Sequence, residues 1–417
     1  MRLPTPLLLD LAAGRDPGPI ELDADVLALA TEHRMSGLLW SWARGHLRDR
    51  QLAMELAMKD LAVQAHLERL WVALETTVAK LDAQGIEVVT VKGVTAEARW
   101  YGRRGERLCS DVDLWLDPNQ LDRAGEAVAA LQPEHPWVPH LDRLVASGRV
   151  QGVTIWVGDQ DIDLHFDLLK LGIPTRGLKT LWSRTTPFPL PGGNAVRVLD
   201  DTAALLHFLV HLNKDRFQRL LGFADVVRLI EAGKIDWHLL QTDARREGID
   251  VAVFRTLEVV LETLDLPWPL EVARPRGLRV VAWNRLWHAG IRLRGREGRL
   301  RFRMRQNWLA VLARGRSREA LWWWLRELWP SAAAVDVQYA DIRGPYIWKL
   351  LYGRTEAAIT QHRRIDGIRR QLAASGTTDR TSLRPSATPP RRTRAIGYLL
   401  RRRSDAQSHL DPSADKE

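Results

Sequence analysis

The chain has 417 residues, 45% of them hydrophobic and 27% charged, which is length for two or three domains with a sizeable core and excludes a fibrous or small stapled protein. The single cysteine, Cys109, excludes an internal disulfide framework and fits a reducing, intracellular setting. The net charge of +10 is local: Trp283 to Trp329 holds twelve Arg and three Glu, Arg380 to Glu417 holds nine basic and four acidic residues, and the remainder is mildly acidic.

At the N-terminus, Leu7-Leu8-Leu9 is broken at once by Asp10, so it reads as neither a secretory signal nor a membrane span. The later apolar run Ala203 to Leu212 is interrupted by His207 and His211, and a soluble, cytoplasmic protein is expected. Apolar residues at three and four spacing predict helices over Asp23 to Ala43 and Gln51 to Leu81, the second ended by Gly85. Ile86 to Val91 is rich in β-branched residues and largely apolar on both faces, as a central strand should be, and it delivers Lys92-Gly93 to a loop. A short helix over Val94 to Tyr101 and a loop at Arg103-Arg104-Gly105 lead to a second strand, Ser110 to Leu116.

After a turn at Asp117-Pro118-Asn119, the pattern predicts a helix over Asp122 to Leu131. Val153 to Val157, the turn Gly158-Asp159-Gln160 and Ile162 to Phe166 form a hairpin by pattern. Helical periodicity then dominates through Thr202 to Asn213, Leu220 to Ala232 and Ala252 to Leu264. Beyond Gly376 the chain is rich in Thr, Ser, Pro and Arg and lacks the apolar density that ordering requires, apart from Ile396 to Leu400, which has the pattern of a short basic amphipathic helix.

The informative pattern is period-two and occurs twice. In Ser110 to Leu116 it puts Asp111 and Asp113 on one face of a strand and Val112, Leu114 and Leu116 on the other. In Asp161 to Leu168, Asp161, Asp163, His165 and Asp167 share one face, and Ile162, Leu164, Phe166 and Leu168 share the opposite one. Carboxylates two apart on a strand repel and Asp is disfavoured in strands, so such a pair calls for a compensating cation. A hard divalent ion bound through a few carboxylates and substrate phosphates supplies it, with a third carboxylate from a neighbouring strand, best Asp163, completing the set.

The order strand, Lys92-Gly93 loop, short helix, Ser110-Asp111-Val112-Asp113-Leu114 and later Asp163-Leu164-His165 resembles the nucleotidyltransferases of the DNA polymerase β superfamily. More narrowly it is similar to their uncharacterised bacterial nucleotidyltransferase family. Ala30-Thr31-Glu32-His33-Arg34 followed by Leu38-Leu39 resembles the N-terminal helices of that family, and His211 through Asp225 its helical continuation. The likeness covers roughly residues 1 to 230, and more faintly Leu325 to Pro330 and Tyr346 to Arg354.

The resemblance implies that Asp111 and Asp113 hold two Mg²⁺ ions, or Mn²⁺, on a nucleoside triphosphate, and that Asp163 shares one ion and helps deprotonate an acceptor hydroxyl. Attack on the α-phosphate then releases pyrophosphate. Gly93 would let the backbone approach phosphate, with Ser110, His211 and Lys214 as further nucleotide contacts. The superfamily usually has Gly-Ser or Gly-Gly at the loop, where this chain has Lys92-Gly93-Val94-Thr95, and Lys92 would supply the charge.

His207 and His211 share a helix face without a metalloprotease Glu or zinc-binding cysteines, so a structural role is expected for them. His211, Lys214, Arg219 and Asp225 are candidates to line a cleft between domains, and Arg107 to pair with either phosphate or Asp111. The Arg/Trp-rich segment either packs a helical core or offers a nucleic-acid or membrane surface, together with the basic tail.

The expected fold is α+β: an N-terminal helical region (1–84), a mixed-sheet nucleotidyltransferase core (85–200), a helical C-terminal domain (201–375) and a disordered basic tail (376–417). The expected activity is Mg²⁺-dependent transfer of a nucleoside monophosphate, AMP by default, to a small-molecule, peptide, carbohydrate or protein acceptor. A non-catalytic nucleic-acid or membrane-surface binder and an Asp-x-Asp glycosyltransferase are the competing classes. The last expects a βαβ array before the motif, where this chain reads as helical.

Overall fold

Capping side chains and the apolar faces behind them set the first elements. In the computed structural model, which describes residues 5–18, 22–47, 49–135, 138–146, 150–169, 175–215, 217–277 and 280–281, α1 (Pro6–Ala12) begins with Thr5 as its cap and buries Leu7, Leu8 and Leu11. The apolar run after the N-terminus is thus a core helix. Asp23 caps α2 (Ala24–Glu32) by accepting from Val26 N at 2.7 Å, and α3 is Ser36–Ala43. The expected single helix over Asp23 to Ala43 is two, because the chain turns at Arg34. Asp49 caps the 33-residue α4 (Arg50–Asp82), whose second half buries Leu67, Leu70, Leu74 and Leu81.

A six-stranded mixed sheet follows: β1 (Val88–Thr90), β2 (Val112–Leu116), β3 (Gly152–Val157), β4 (Gln160–His165), β5 (Thr185–Pro189) and β6 (Ala195–Leu199). The spatial order is β3-β4-β2-β1-β6-β5. β1 pairs antiparallel with β2 and parallel with β6, β2 pairs parallel with β4, and β3–β4 and β5–β6 are antiparallel hairpins. Between the strands lie α5 (Val94–Trp100), α6 (Ala124–Leu131), α7 (Leu141–Ala146) and α8 (Leu178–Trp182). After the sheet come α9 (Asp201–Lys214), α10 (Leu221–Ala232), α11 (Trp237–Arg246) and α12 (Asp250–Thr263). This is the α+β class expected. The β5–β6 hairpin was not legible because Pro187 and Pro189 argue against a strand, and β5 tolerates them as the sheet's edge.

The sheet's two faces feed two apolar clusters. Val112, Leu114 and Leu116 of β2, Ile155 of β3 and Ile162 and Leu164 of β4 pack with α4, α6 and α7. On the opposite face, Val89, Trp115 and Leu199 join a cluster built from α1–α3, α9, α10 and α12, where Trp115 meets Trp182 edge-on at 5.3 Å. N-terminal and C-terminal helices therefore share one core over the same sheet face. No described helix is long and apolar enough to cross a membrane. The Arg/Trp-rich segment Trp283 to Trp329, the fainter likenesses at 325–330 and 346–354, the rest of the helical stretch to 375 and the tail from 376 lie outside the described residues.

This arrangement separates core from surface sharply enough to test. Leu114→Ala is expected to cost roughly 2–5 kcal/mol and Trp156→Ala, whose side chain is 55% exposed at the β3 edge, within about 0.5 kcal/mol of zero, as read from urea denaturation midpoints.

Candidate active site

Alternation turns Asp113 away from the α4-side core, and the parallel register of β2 and β4 sets Asp113 directly beside Asp163 and Trp115 beside His165. Neighbouring strands lie about 4.8 Å apart, so the two acids are held side by side. Asp113 is 1% exposed, and its Oδ1 meets His165 Nε2 at 2.9 Å and Lys92 Nζ at 3.1 Å. Its Oδ2 is buried with no hydrogen-bond partner among the described residues. Ligand atoms of Asp113, Asp163 and His165 all lie within 4.8 Å of one another. Asp163 is half-buried and accepts a short hydrogen bond from Thr154 on β3.

The loop after β1 supplies the cation. Lys92 Nζ also meets His211 Nε2 of α9 at 3.1 Å, so one ammonium ties strand, loop and helix together. Burial works against its charge, yet Asp113 and Asp111 raise its pKa above the ordinary lysine value. Burial likewise opposes ionisation of Asp113, and Lys92 with the His165 hydrogen bond overcomes it, holding that carboxyl well below the usual range. Asp111 goes the other way: burial and the neighbouring Asp113 raise its pKa, against the pull of Lys92. His211 is pushed down to about 2 by burial and then by Lys92, so it faces the lysine as a neutral acceptor.

Gly93 caps α5 at φ 71°, a backbone state glycine adopts freely, and a Cβ there would stand 3.1 Å from Asp111 O. Its carbonyl accepts from Glu97 N and, at 3.5 Å, from Arg107 Nη1. Arg107 is buried and forks onto Asp225 of α10, Nε to Oδ1 at 2.8 Å and Nη2 to Oδ2 at 2.9 Å, while Tyr101 donates to the same Oδ1 at 2.6 Å. Of the carboxylates, Arg107 pairs with Asp225 and not with the expected Asp111, and this pair anchors the glycine loop to the helical part of the fold.

These groups surround a cleft of about 310 Å³ lined by Lys92, Gly93, Ser110, Asp111, Asp113, Asp163 and His211, with Arg34, Asp215 and Arg219. Ser110 Oγ donates to Asp111 Oδ1 at 3.0 Å. Lys214, expected as a nucleotide contact, is exposed in the last turn of α9 and is not among the lining residues. Asp161 is exposed, and Asp167 is a turn former that accepts from Leu169 N, Thr175 N and Thr175 Oγ1. His207 is buried and its Nδ1 donates to Leu168 O at 3.1 Å, the structural role expected of it. Sequence reasoning missed Asp215, and it read Arg34 only as part of a helix; neither stands in a pattern with chemical meaning.

The family described as an uncharacterised nucleotidyltransferase matches residues 22–265, and the chain belongs to it. No curated protein matches the chain. A crystal structure of an antigenic nucleotidyltransferase-like protein from Paracoccidioides brasiliensis aligns over 49% of this chain and 91% of its own, at 15% identity and a TM-score of 0.27, a likeness too slight to argue from.

Two measurements check the buried groups. Asp225→Ala is expected to destabilise by roughly 3–5 kcal/mol, since it strands the Arg107 charge, whereas an exposed pair such as Lys59–Glu55 should contribute under about 1 kcal/mol. Burial, with Lys92 close by, pushes His207 from 6.5 down to about 3. Between those values the unfolded chain binds a proton the folded chain refuses, so this share of stability is complete above pH 6.5 and is lost as pH falls towards 3. His207→Gln should flatten the rise of the denaturation midpoint with pH across that window.

Proposed function

We propose that this member of the nucleotidyltransferase family moves a nucleoside monophosphate, AMP in the first instance, from a nucleoside triphosphate to a hydroxyl of a small molecule, peptide, carbohydrate or protein, with loss of pyrophosphate. In this proposal the family sits within the DNA polymerase β superfamily. One observation carries it: Asp113 and Asp163 stand in register on adjacent strands, with a buried, unpartnered Asp113 oxygen, in a cleft that also presents cationic groups. The membership in the family favours this activity over the glycosyltransferase reading.

The donor set fits a hard divalent cation. Asp111, Asp113 and Asp163 offer carboxylate oxygens, and His165 is already engaged with Asp113, so Mg²⁺ or Mn²⁺ suits the acids better than zinc does. Such an ion, when bound, would neutralise charge on the phosphates as it develops during transfer. The remaining steps fall to the chain itself. Gly93 lets the loop backbone come close to phosphate oxygens. Lys92 keeps Asp113 ionised before substrate arrives and stands ready to contact a phosphate. Asp163, less buried than Asp113, accepts the proton of the attacking hydroxyl, with Thr154 fixing its orientation. His211 orients Lys92 from the helical side. A cytoplasmic location is part of the same proposal and rests on the single reduced Cys109.

The test is incubation of the full chain with each α-labelled nucleoside triphosphate, Mg²⁺ or Mn²⁺, and a lysate of candidate acceptors. Wild type is expected to transfer label and release pyrophosphate. Asp111→Asn, Asp113→Asn and Asp163→Asn should each reduce the signal by about a hundredfold or more, and equal signals from all four proteins would discard the proposal.

A further inference from the structure

The turn between α2 and α3 is built on a residue poorly suited to it. Met35 N reaches back to Ala30 O at 2.7 Å and Arg34 N to Thr31 O at 3.2 Å, the paired bonds that end a helix through a left-handed residue. That residue is Arg34, at φ 58°, where glycine is the usual occupant and a side chain is strained. The side chain so placed lines the cleft. Its Nη1 donates to Ser110 Oγ at 3.2 Å, and Ser110 in turn donates to Asp111.

Arg34 makes no ion pair with a carboxylate among the described residues, and neither does Arg219, which lines the same cleft from the turn before α10. Arg107, the third arginine there, is committed to Asp225. Burial and then the neighbouring Arg219 and Arg107 lower the pKa of Arg34 against the weaker pull of Asp111 and Asp215, so guanidinium groups are held near one another in a repulsion that a bound anion would relieve further. A guanidinium fork matches the paired oxygens of a phosphate, and most of its five N–H donors are unused by the described residues.

We infer that Arg34, with Arg219, binds the terminal phosphates of the nucleoside triphosphate beside the carboxylates, and that the strained turn is what places it there. The inference rests on the nucleotidyl-transfer reading and adds to it a substrate contact from the N-terminal helices. Arg34 positions the leaving pyrophosphate, whereas the buried acids of β2 and β4 face the phosphate that reacts. A nucleoside monophosphate lacks the group that Arg34 would hold.

The test is calorimetric titration of the full chain with ATP, AMP and inorganic tripolyphosphate at fixed Mg²⁺, for wild type, Arg34→Gly and Arg34→Lys, with a melting curve for each. Arg34→Gly is expected to weaken ATP and tripolyphosphate by about tenfold or more and AMP by less than about threefold, with Arg34→Lys between. Its melting temperature should stay level or rise, because glycine suits the left-handed turn. Unchanged ATP affinity, an equal loss for AMP, or a lower melting temperature accompanying the loss would overturn the inference. If Arg34 governs ATP affinity but no acceptor is ever labelled, the transferase reading falls and the phosphate site stands. If Arg34→Gly binds ATP normally and label is transferred, the phosphate site falls and the transferase reading stands. A wild type that binds none of the three ligands refutes both.

Discussion

Parallel pairing of β2 with β4 is the constraint from which the cleft follows. Leu114 and Leu164 bury on one face of that pair, and the same register leaves Asp113 beside Asp163 on the other. A slip of one residue would send apolar side chains into the cleft and carboxylates into the α4-side core, so the core's demand for apolar contact is also what aligns the acids. Chemistry and folding use the same alternation, one face each.

Two like charges in that position need neutralising before any ligand is present. Lys92 does this for Asp113, which also holds a hydrogen bond to His165, and His211 caps the lysine from α9. The deepest carboxylate therefore stays ionised, while Asp111, nearer the opening and less well compensated, holds its proton more firmly than an ordinary aspartate. Acids and guanidinium groups line the same cleft of about 310 Å³, so it has two electrostatic characters. A ligand that carries both metal and phosphate matches both of them at once.

Much of this was legible from residues alone where the signal was local. The period-two acids, the Lys92-Gly93 loop and the helices after Asp200 all appear in the structure near their expected bounds. What was not legible depends on groups far apart in the chain. Asp163 was expected on a neighbouring strand, but nothing near Asp113 announces that the two will pair in direct register, nor that Arg107 will find Asp225. Proline hid β5, because an edge strand obeys different hydrogen-bond demands from a central one. Arg34 was hidden for a subtler reason: a helix terminus normally advertises itself with glycine, and here a long side chain is kept although it strains the turn.

The Asp225–Arg107–Gly93 linkage has a consequence for how this family can be divided or recombined. The sheet and its loops look like a self-sufficient module, yet a guanidinium inside that module has its counterion on α10. Severing the polypeptide after β6 would leave that cation enclosed and unbalanced, next to the glycine whose carbonyl it steadies. The helical lobe is therefore an inseparable half of the framework that holds the cleft.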